Sequence, residues 1–192
     1  MIILYQISLF FITLLLSPFL ILYILFYKGA KEGIKERFGI LRKTDIDHSI
    51  SRIWLHTASV GEVRILEKLP GFPFKNSFIT CTTITGKNLV LKEYPGIPVF
   101  LLPVDYVFII KAFIKKLRPE KVILIETELW PAFLYCIRKF PVYLVNARLS
   151  DKAFPRYLFF KWFLARFLKY IDFIHTIDPE TKEKFLKLGV SP

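Results

Sequence analysis

The 192-residue sequence has few of the residues that crosslinked or metal-stabilised proteins depend on. Its two cysteines, Cys81 and Cys136, lie far apart, without a C-x-x-C pair or a nearby histidine cluster. This spacing argues against a disulfide scaffold or a zinc site and favours a reducing compartment. We therefore predict that both cysteines are buried small side chains, and that the protein uses neither a metal nor another cofactor.

Glycine-rich phosphate-binding loops are also missing. The eight glycines never form G-x-G, so neither a dinucleotide fingerprint nor a P-loop is present. The chain has no internal repeat, no low-complexity tract and no Gly/Ser linker. The usual glycine-rich route to nucleotide binding is therefore excluded.

Charged residues are absent from positions 2–27, a run of 26 residues rich in Leu, Ile and Phe. A helix of this length exceeds the roughly 30 Å hydrocarbon core of a bilayer. A cleaved secretory signal would need a basic start, a shorter apolar core and a small-residue cleavage site, and the sequence has none of these. We therefore predict an uncleaved transmembrane anchor over residues 1–27, with a kink at Pro18.

Basic residues follow the apolar run directly, and the whole net charge of +12 lies beyond residue 27. By the positive-inside rule, this flank predicts a cytoplasmic juxtamembrane segment over residues 28–50 and a cytoplasmic location for everything downstream. The charge favours a phosphorylated substrate or an anionic membrane over nucleic acid, because no nucleic-acid-binding signature is present. The basic residues of the flank are Lys28, Lys31, Lys35, Arg37, Arg42 and Lys43.

From residue 51 onward, short apolar runs alternate with helical patterns. Continuous Val/Ile/Leu runs separated by helices predict a parallel sheet covered on both faces. We therefore predict one Rossmann-like, doubly wound α/β domain over residues 51–192. The predicted strands are 53–56, 78–83, 99–102, 122–125, 142–145 and, more weakly, 173–177. The predicted helices are 63–69, 88–93, 106–117, 131–139, 154–170 and a short one that ends near Gly189.

The aromatic and basic stretch 157–170 permits two interpretations. It is either an interfacial helix with Lys161, Arg166 and Lys169 on its polar face, or a helix that covers the sheet with a bulky apolar face. Its apolar residues run nearly all the way round, so the pattern favours neither interpretation. It is too short and too charged to be a second membrane span.

One stretch, Trp54-Leu55-His56-Thr57-Ala58-Ser59-Val60-Gly61-Glu62, indicates a strand, a tight turn and a helix start. Open α/β sheets bind ligands at such turns, so we expect Glu62 to take part in any chemistry. Ser59 and Glu62 also fit a capping box, in which the Glu62 carboxylate bonds back to the Ser59 amide. The backbone amides of Ser59 and Gly61 are candidates for binding an anion.

Two further charged residues follow predicted strands. Glu126 comes after four apolar strand residues, at the mouth of the sheet, and the alternative role of a helix-start residue before Pro131 fits Glu128 better. Arg148 is either a bidentate partner for phosphate or carboxylate, or a solvated loop arginine. His56 is expected to pack among the strands.

Five motifs follow one another along the chain: His-Thr-Ala-Ser-Val-Gly-Glu (56–62), Thr82-Thr83, Leu-Pro-Val-Asp (102–105), Glu-Thr-Glu-Leu-Trp-Pro (126–131) and Asn-Ala-Arg-Leu-Ser (146–150). Their order closely resembles the amino-terminal half of the 3-deoxy-D-manno-octulosonic acid (Kdo) transferases. The resemblance implies one lobe of a membrane-anchored, inverting glycosyltransferase of the GT-B architecture. It also implies transfer of Kdo from CMP-Kdo to the lipid A precursor, lipid IVA, at the cytoplasmic face of the inner membrane.

The resemblance also assigns roles by position. It implies that Glu62 is the general base that deprotonates the attacking hydroxyl, and that Glu126 stabilises the transition state by positioning a lysine of the other lobe. The donor lobe that binds CMP-Kdo is not in this sequence, so we expect no turnover unless such a lobe is supplied. The alternative function is a membrane-tethered module that holds a phosphorylated lipid without turning it over.

Overall fold

The computed structural model describes residues 1–26, 31–41, 52–72, 74 and 76–191. Of the predicted basic flank, Lys28, Arg42 and Lys43 lie outside these residues. The helices are α1 (Ile2–Phe26), α2 (Ile34–Arg37), α3 (Val60–Val63), α4 (Ile84–Glu93), α5 (Val107–Leu117), α6 (Pro131–Ile137), α7 (Phe154–Phe159), α8 (Lys161–Leu168) and α9 (Pro179–Lys187). The strands are β1 (Arg52–Thr57), β2 (Ser77–Cys81), β3 (Val99–Leu101), β4 (Pro119–Ile125), β5 (Val142–Ala147) and β6 (Phe173–Thr176).

The six strands form one parallel sheet in the order β3-β2-β1-β4-β5-β6. The predicted Rossmann-like α/β fold is therefore confirmed. The chain winds outward from β1 in one direction and from β4 in the other, so the point between these two strands is the topological switch point. The carboxyl ends of β1 and β4 consequently flank the crevice in which open α/β sheets bind ligands.

The two faces of the sheet bury separate cores, because successive strand residues point to opposite faces. The larger core includes Trp54, whose indole N–H donates to Thr80 Oγ1 at 2.8 Å and whose ring lies 5.0 Å from that of Phe133. The smaller core includes Leu55 and is closed by α3 and α4. Burial on both faces explains why inner strands such as β1 and β2 are largely apolar runs.

Two predicted helices have different bounds in the structure. In place of a helix over 63–69, α3 ends at Val63, and a separate 3₁₀ turn covers Leu66–Lys68. The helix predicted over 88–93 begins at Ile84, because the Thr83 hydroxyl accepts a hydrogen bond from the Gly86 N–H (3.1 Å) and caps its start. This cap lies beside the turn that carries Glu62, since the Thr83 hydroxyl also donates to the Ala58 carbonyl (3.1 Å).

The single helix predicted over 154–170 is wrong, because the chain leaves helical geometry at Phe160 and forms α7 and α8. The side chains of Phe167 and Leu168 are buried in the larger core, as expected of a helix that covers the sheet. Phe159 and Trp162 remain 76% and 66% exposed. Apolar residues occur on every side of this stretch, so its sequence pattern does not define one buried helix face. In the structure, some of these residues enter the core and others form an exposed aromatic surface.

The chain before the sheet packs against it at two places. Helix α1 is apolar enough to cross a membrane, contains Pro18 and exposes most of its side chains, while Ile2 and Tyr5 pack against the larger core. Residues 31–41, within the predicted juxtamembrane segment, contain α2. There the Glu36 carboxylate accepts from the Leu101 N–H of β3 (2.8 Å) and pairs with Lys87 of α4.

Candidate active site

A cleft of about 790 Å³ opens beside the carboxyl ends of β4, β5 and β6 and next to the turn that follows β1. It lies at the edge of the sheet where the fold predicts a ligand. Charged and polar residues line it together with apolar ones, so it suits a polar ligand. Its polar and charged lining residues are Lys68, Glu126, Asn146, Arg148 and His175, and Gly61 lines it as well.

Glu62 lies in the single turn of α3, immediately beside the cleft-lining Gly61, and its residue is 9% exposed. Its carboxylate folds back on the turn, where Oε2 accepts a hydrogen bond from the Ala58 N–H and Oε1 lies 3.4 Å from the Ser59 hydroxyl. The predicted back-bonding is therefore present, but the main amide partner is Ala58, one residue before Ser59. The Ala58 N–H holds Oε2, while Ser59 contacts the carboxylate more weakly, through its hydroxyl and its backbone N–H.

The Glu62 carboxyl group has a pKa near neutral pH. Burial raises the pKa of Glu62 to about 7; the Ala58 N–H opposes this rise, and the negative charges of Glu128 and Glu126 add to it. A carboxylate with such a pKa both accepts and releases a proton near pH 7, which is the property a general base needs.

Glu126 is held by a strained backbone at the end of β4. It has φ +59°, and Asn146 at the end of β5 has φ +55°. Left-handed conformations of non-glycine residues cost about 1–2 kcal/mol and concentrate at functional sites. The Asn146 amide lies 3.4 Å from Glu126 Oε1, and Arg148 Nη1 lies 3.8 Å from the same oxygen.

Arg148 is thus brought to Glu126 by the structure, while its side chain remains 61% exposed. Its contact with Glu126 is a single long ion pair rather than a bidentate one, and most of the side chain is solvated. An exposed guanidinium at the cleft can turn from Glu126 to an incoming phosphate or carboxylate.

Glu128 and His56 form a second polar group at the switch point. His56 is fully buried; its Nδ1 lies 2.9 Å from Thr80 Oγ1 and its Nε2 lies 3.7 Å from Glu128 Oε2. Glu128 also accepts from the Trp130 indole N–H at 2.9 Å. Although burial opposes it, these contacts lower the pKa of Glu128 below its usual value. Its negative charge therefore persists near Glu62.

The helix-start role that the sequence suggested for Glu128 belongs to another residue. The first amides of α6, from Ala132 (3.0 Å) and Phe133 (2.8 Å), donate to the Asp105 carboxylate. Asp105 also accepts from the Tyr5 hydroxyl of α1 at 2.7 Å. This member of the Leu-Pro-Val-Asp motif consequently joins three parts of the chain.

The predicted anion site at Ser59 and Gly61 is built on one helical turn. The space beside the Gly61 Cα is open, because a Cβ atom added there would meet only Ser59 Oγ, at 3.9 Å. At this turn, the Glu62 carboxylate already accepts the hydrogen bond that the Ala58 N–H donates. A phosphate bound there would therefore lie next to a carboxylate, and protonation of Glu62 would favour it.

Sequence reasoning missed three residues that line the cleft. Asn146 stands within the Asn-Ala-Arg-Leu-Ser motif, and its position at a strand end was a usable signal. Lys68 and His175 reach the cleft from separate parts of the chain, and no local pattern marks either of them. Within the described ranges, no group of three or more His, Cys, Asp and Glu residues is arranged to hold a metal ion.

The fold and cleft define the chain as an α/β domain with a cleft that carries charged side chains beside the switch point of its sheet. A sequence-family model described as 3-deoxy-D-manno-octulosonic-acid transferase (kdotransferase) matches residues 32–192. The chain therefore belongs to the Kdo transferase family of glycosyltransferases, as its motifs predicted.

Individual relatives agree with this assignment. The chain is 31% identical to the 3-deoxy-D-manno-octulosonic acid transferase of Rickettsia bellii over 95% of its own length and 46% of the relative's. It is 31% identical to that of Chlamydia pneumoniae over 90% of its length and 41% of the relative's. A bifunctional glycosyltransferase/methyltransferase of Fusobacterium nucleatum is 34% identical over 71% of the chain and 23% of the relative. The chain thus spans less than half the length of these relatives.

Proposed function

We propose that this chain is the acceptor-binding lobe of a GT-B Kdo transferase. With a donor lobe, it transfers Kdo from CMP-Kdo to the lipid A precursor, lipid IVA. The observation that carries the proposal is Glu62, a buried carboxylate with a pKa of about 7 at the switch point of the sheet. CMP-Kdo is bound by a second lobe, corresponding to the part of the relatives that this chain does not cover.

The proposed reaction needs one base. The acceptor's primary hydroxyl gives its proton to Glu62 as its oxygen forms a bond to the anomeric carbon of Kdo. The bond from that carbon to the phosphate oxygen of CMP breaks, and its electron pair leaves with CMP. Attack opposite the leaving group inverts the configuration without a covalent enzyme intermediate. Oε1 of Glu62 is the oxygen suited to take the proton, because the Ala58 amide holds Oε2.

The other site residues bind and position in this scheme. Glu126 stabilises the transition state by positioning a lysine of the donor lobe, which its orientation by a left-handed backbone supports. Arg148 pairs with a phosphate or carboxylate at the cleft, and the amides of Ser59 and Gly61 contact an acceptor phosphate. The lining residue Lys68 adds positive charge for the same anionic ligand.

The proposed location is the cytoplasmic face of the inner membrane, where α1 attaches the lobe. The net charge of +12 favours an anionic surface and a phosphorylated lipid. The sequence predicts a single-pass anchor with the domain in the cytoplasm.

The test is a transfer assay in phospholipid vesicles with CMP-Kdo and lipid IVA. The full chain is joined to the carboxyl-terminal half of the Rickettsia bellii relative, and Kdo-bearing lipid IVA is followed by mass spectrometry together with CMP release. We expect product only when chain, donor half and lipid IVA are all present. The chain alone should release no CMP.

Two controls make a negative result informative. The intact Rickettsia bellii enzyme verifies the substrates, and its own two halves, separated at the same boundary and rejoined by the same linker, verify the joining. If both controls turn over while the hybrid binds lipid IVA without releasing CMP, the transferase proposal is wrong. The alternative, a membrane-tethered module that binds a phosphorylated lipid, would then be correct.

A further inference from the structure

Three polar side chains of α1, those of Tyr5, Gln6 and Thr13, lie on the face of the helix that meets the domain. Gln6 binds two backbone groups at once: its amide N–H donates to the Asp105 carbonyl (3.0 Å), and its Oε1 accepts from the Val107 N–H (3.0 Å). The Tyr5 hydroxyl donates to the Asp105 carboxylate. The amino-terminal turns of this apolar helix are therefore attached to the domain by specific hydrogen bonds.

A third polar contact lies two turns further along α1. The Tyr106 hydroxyl lies 2.8 Å from Thr13 Oγ1 and 3.3 Å from the Leu9 carbonyl. Moving α1 into lipid, away from the domain, would leave the Gln6 amide without its two partners. An unpaired polar group costs several kcal/mol in hydrocarbon.

The chain that follows α1 returns to the same place. The Arg37 carbonyl accepts from the Val104 N–H at 2.9 Å, and the Arg37 guanidinium donates to the Thr82 carbonyl at 2.7 Å. Val104 and Asp105 are consecutive residues of one loop, so a single loop holds the chain on both sides of α1. A helix that crosses a bilayer places its two flanks on opposite sides of about 30 Å of hydrocarbon.

We propose that α1 enters one leaflet of a lipid bilayer without crossing it, with both of its flanks on the side of the membrane that carries the domain. Residues 14–26, beyond the last contact with Tyr106, measure only about 20 Å as a helix, too short to span the hydrocarbon core. Their large apolar side chains are exposed along nearly the whole segment. An exposed apolar surface of this kind is stabilised by contact with the hydrocarbon of one leaflet.

A second exposed surface adjoins α1. The Tyr5 ring lies 6.2 Å from that of Phe163 in α8, and Phe163 neighbours the exposed Trp162 at 6.0 Å. Exposed Phe159 and basic Lys161 belong to the same pair of short helices. Tryptophan and lysine are side chains that favour the head-group region of a bilayer. The interfacial interpretation of this stretch therefore fits the outward side of α7 and α8.

An apolar groove of about 480 Å³ also opens where α1 meets α5 and α6. Its walls include Ile3 and Phe10 of α1, and its lining includes the exposed Lys111. A lipid chain fits an apolar groove with a cation available for a phosphate head group. The groove extends the surface in contact with lipid onto the domain.

The two arrangements of α1 are distinguished by the side of the membrane on which its amino terminus lies. One variant carries a cysteine in a short polar extension before Met1, and a second carries Lys92→Cys at a well-exposed site on α4. Each full chain is labelled with a membrane-impermeant maleimide in sealed spheroplasts and in inverted vesicles. Cys81 and Cys136 are buried, so the unmodified chain provides the blank. We expect both probes to be labelled from the same side of the membrane.

Labelling of the amino terminus only from the side opposite Lys92→Cys would overturn the proposal and establish a crossing helix. Flotation with phosphatidylethanolamine and phosphatidylglycerol vesicles tests the lipid contact itself. Leu15→Glu together with Phe19→Glu, on the exposed face of α1, should weaken vesicle binding at least tenfold. The control Leu91→Glu, at an exposed position of α4, should leave it unchanged. Equal binding of all three chains would also contradict the proposal.

Discussion

Replacing Glu62 with glutamine is expected to lower Kdo transfer in the assembled protein by about 10²- to 10⁴-fold, the usual contribution of a positioned general base. Glutamine keeps the size of the side chain and an oxygen that accepts from the Ala58 amide, but it cannot take a proton. Lipid IVA binding should therefore be retained while turnover is lost. The measurement is the initial rate of CMP release with wild type and Glu62→Gln in the same hybrid protein.

The stability of the variant separates lost chemistry from misfolding. Because the folded-state pKa of Glu62 is raised, the fold favours the protonated side chain. Its contribution to stability is fully present below pH 4.5 and is lost as the pH rises through about 7. At pH 8 the neutral glutamine should make the variant at least as stable as wild type. The control Glu93→Gln, on an exposed residue of α4, should change neither rate nor stability; unchanged turnover in Glu62→Gln would remove the base assignment.

Replacing Asp105 with alanine is expected to lower the free energy of unfolding by about 2–4 kcal/mol, from a lost helix cap and unpaired donors. The two first amides of α6 and the Tyr5 hydroxyl all donate to this carboxylate. Asp105→Asn keeps one acceptor oxygen and should lose less. Denaturant unfolding of the full chain in vesicles or nanodiscs measures the change.

A control and a double-mutant cycle sharpen the Asp105 result. Glu120→Ala, at an exposed position of β4, should stay within about 0.5 kcal/mol of wild type. Tyr5→Phe combined with Asp105→Ala should cost less than the sum of the single changes, because the two residues share one hydrogen bond. A neutral Asp105→Ala would contradict the three-way junction. Additive effects in a bilayer would show that α1 does not contact the domain there.

The parallel sheet was predictable because its inner strands, such as β1 and β2, are buried on both faces and appear in the sequence as continuous apolar runs. The edge strand β6 has no fully buried residue, and its sequence signal was correspondingly weaker. The bounds of the helices were harder to predict from the sequence. The start of α4 depends on the Thr83 cap, which lies outside the apolar pattern, and the break at Phe160 falls within a stretch that is apolar on every side. In both cases, contacts with other parts of the chain determine the bounds.

The candidate site shows the same division. Glu62, Glu126 and Arg148 could be found from sequence, since each follows a predicted strand and the carboxyl ends of parallel strands share one edge. The contact of Glu128 with His56 and the bond from Tyr5 to Asp105 could not, because these partners are far apart in sequence. The positive φ of Glu126 could not be predicted either, because neither a glutamate nor the residues beside it indicate a left-handed backbone.

The pH dependence of transfer tests the central claim most directly. With lipid IVA limiting, kcat/KM of the assembled protein should rise as Glu62 loses its proton, with a midpoint near the pKa of about 7, and level off above it. In Glu62→Gln this rise should disappear from the residual activity. A wild-type profile that is flat across neutral pH, or the same midpoint in Glu62→Gln, would contradict the assignment of Glu62 as the base that drives Kdo transfer.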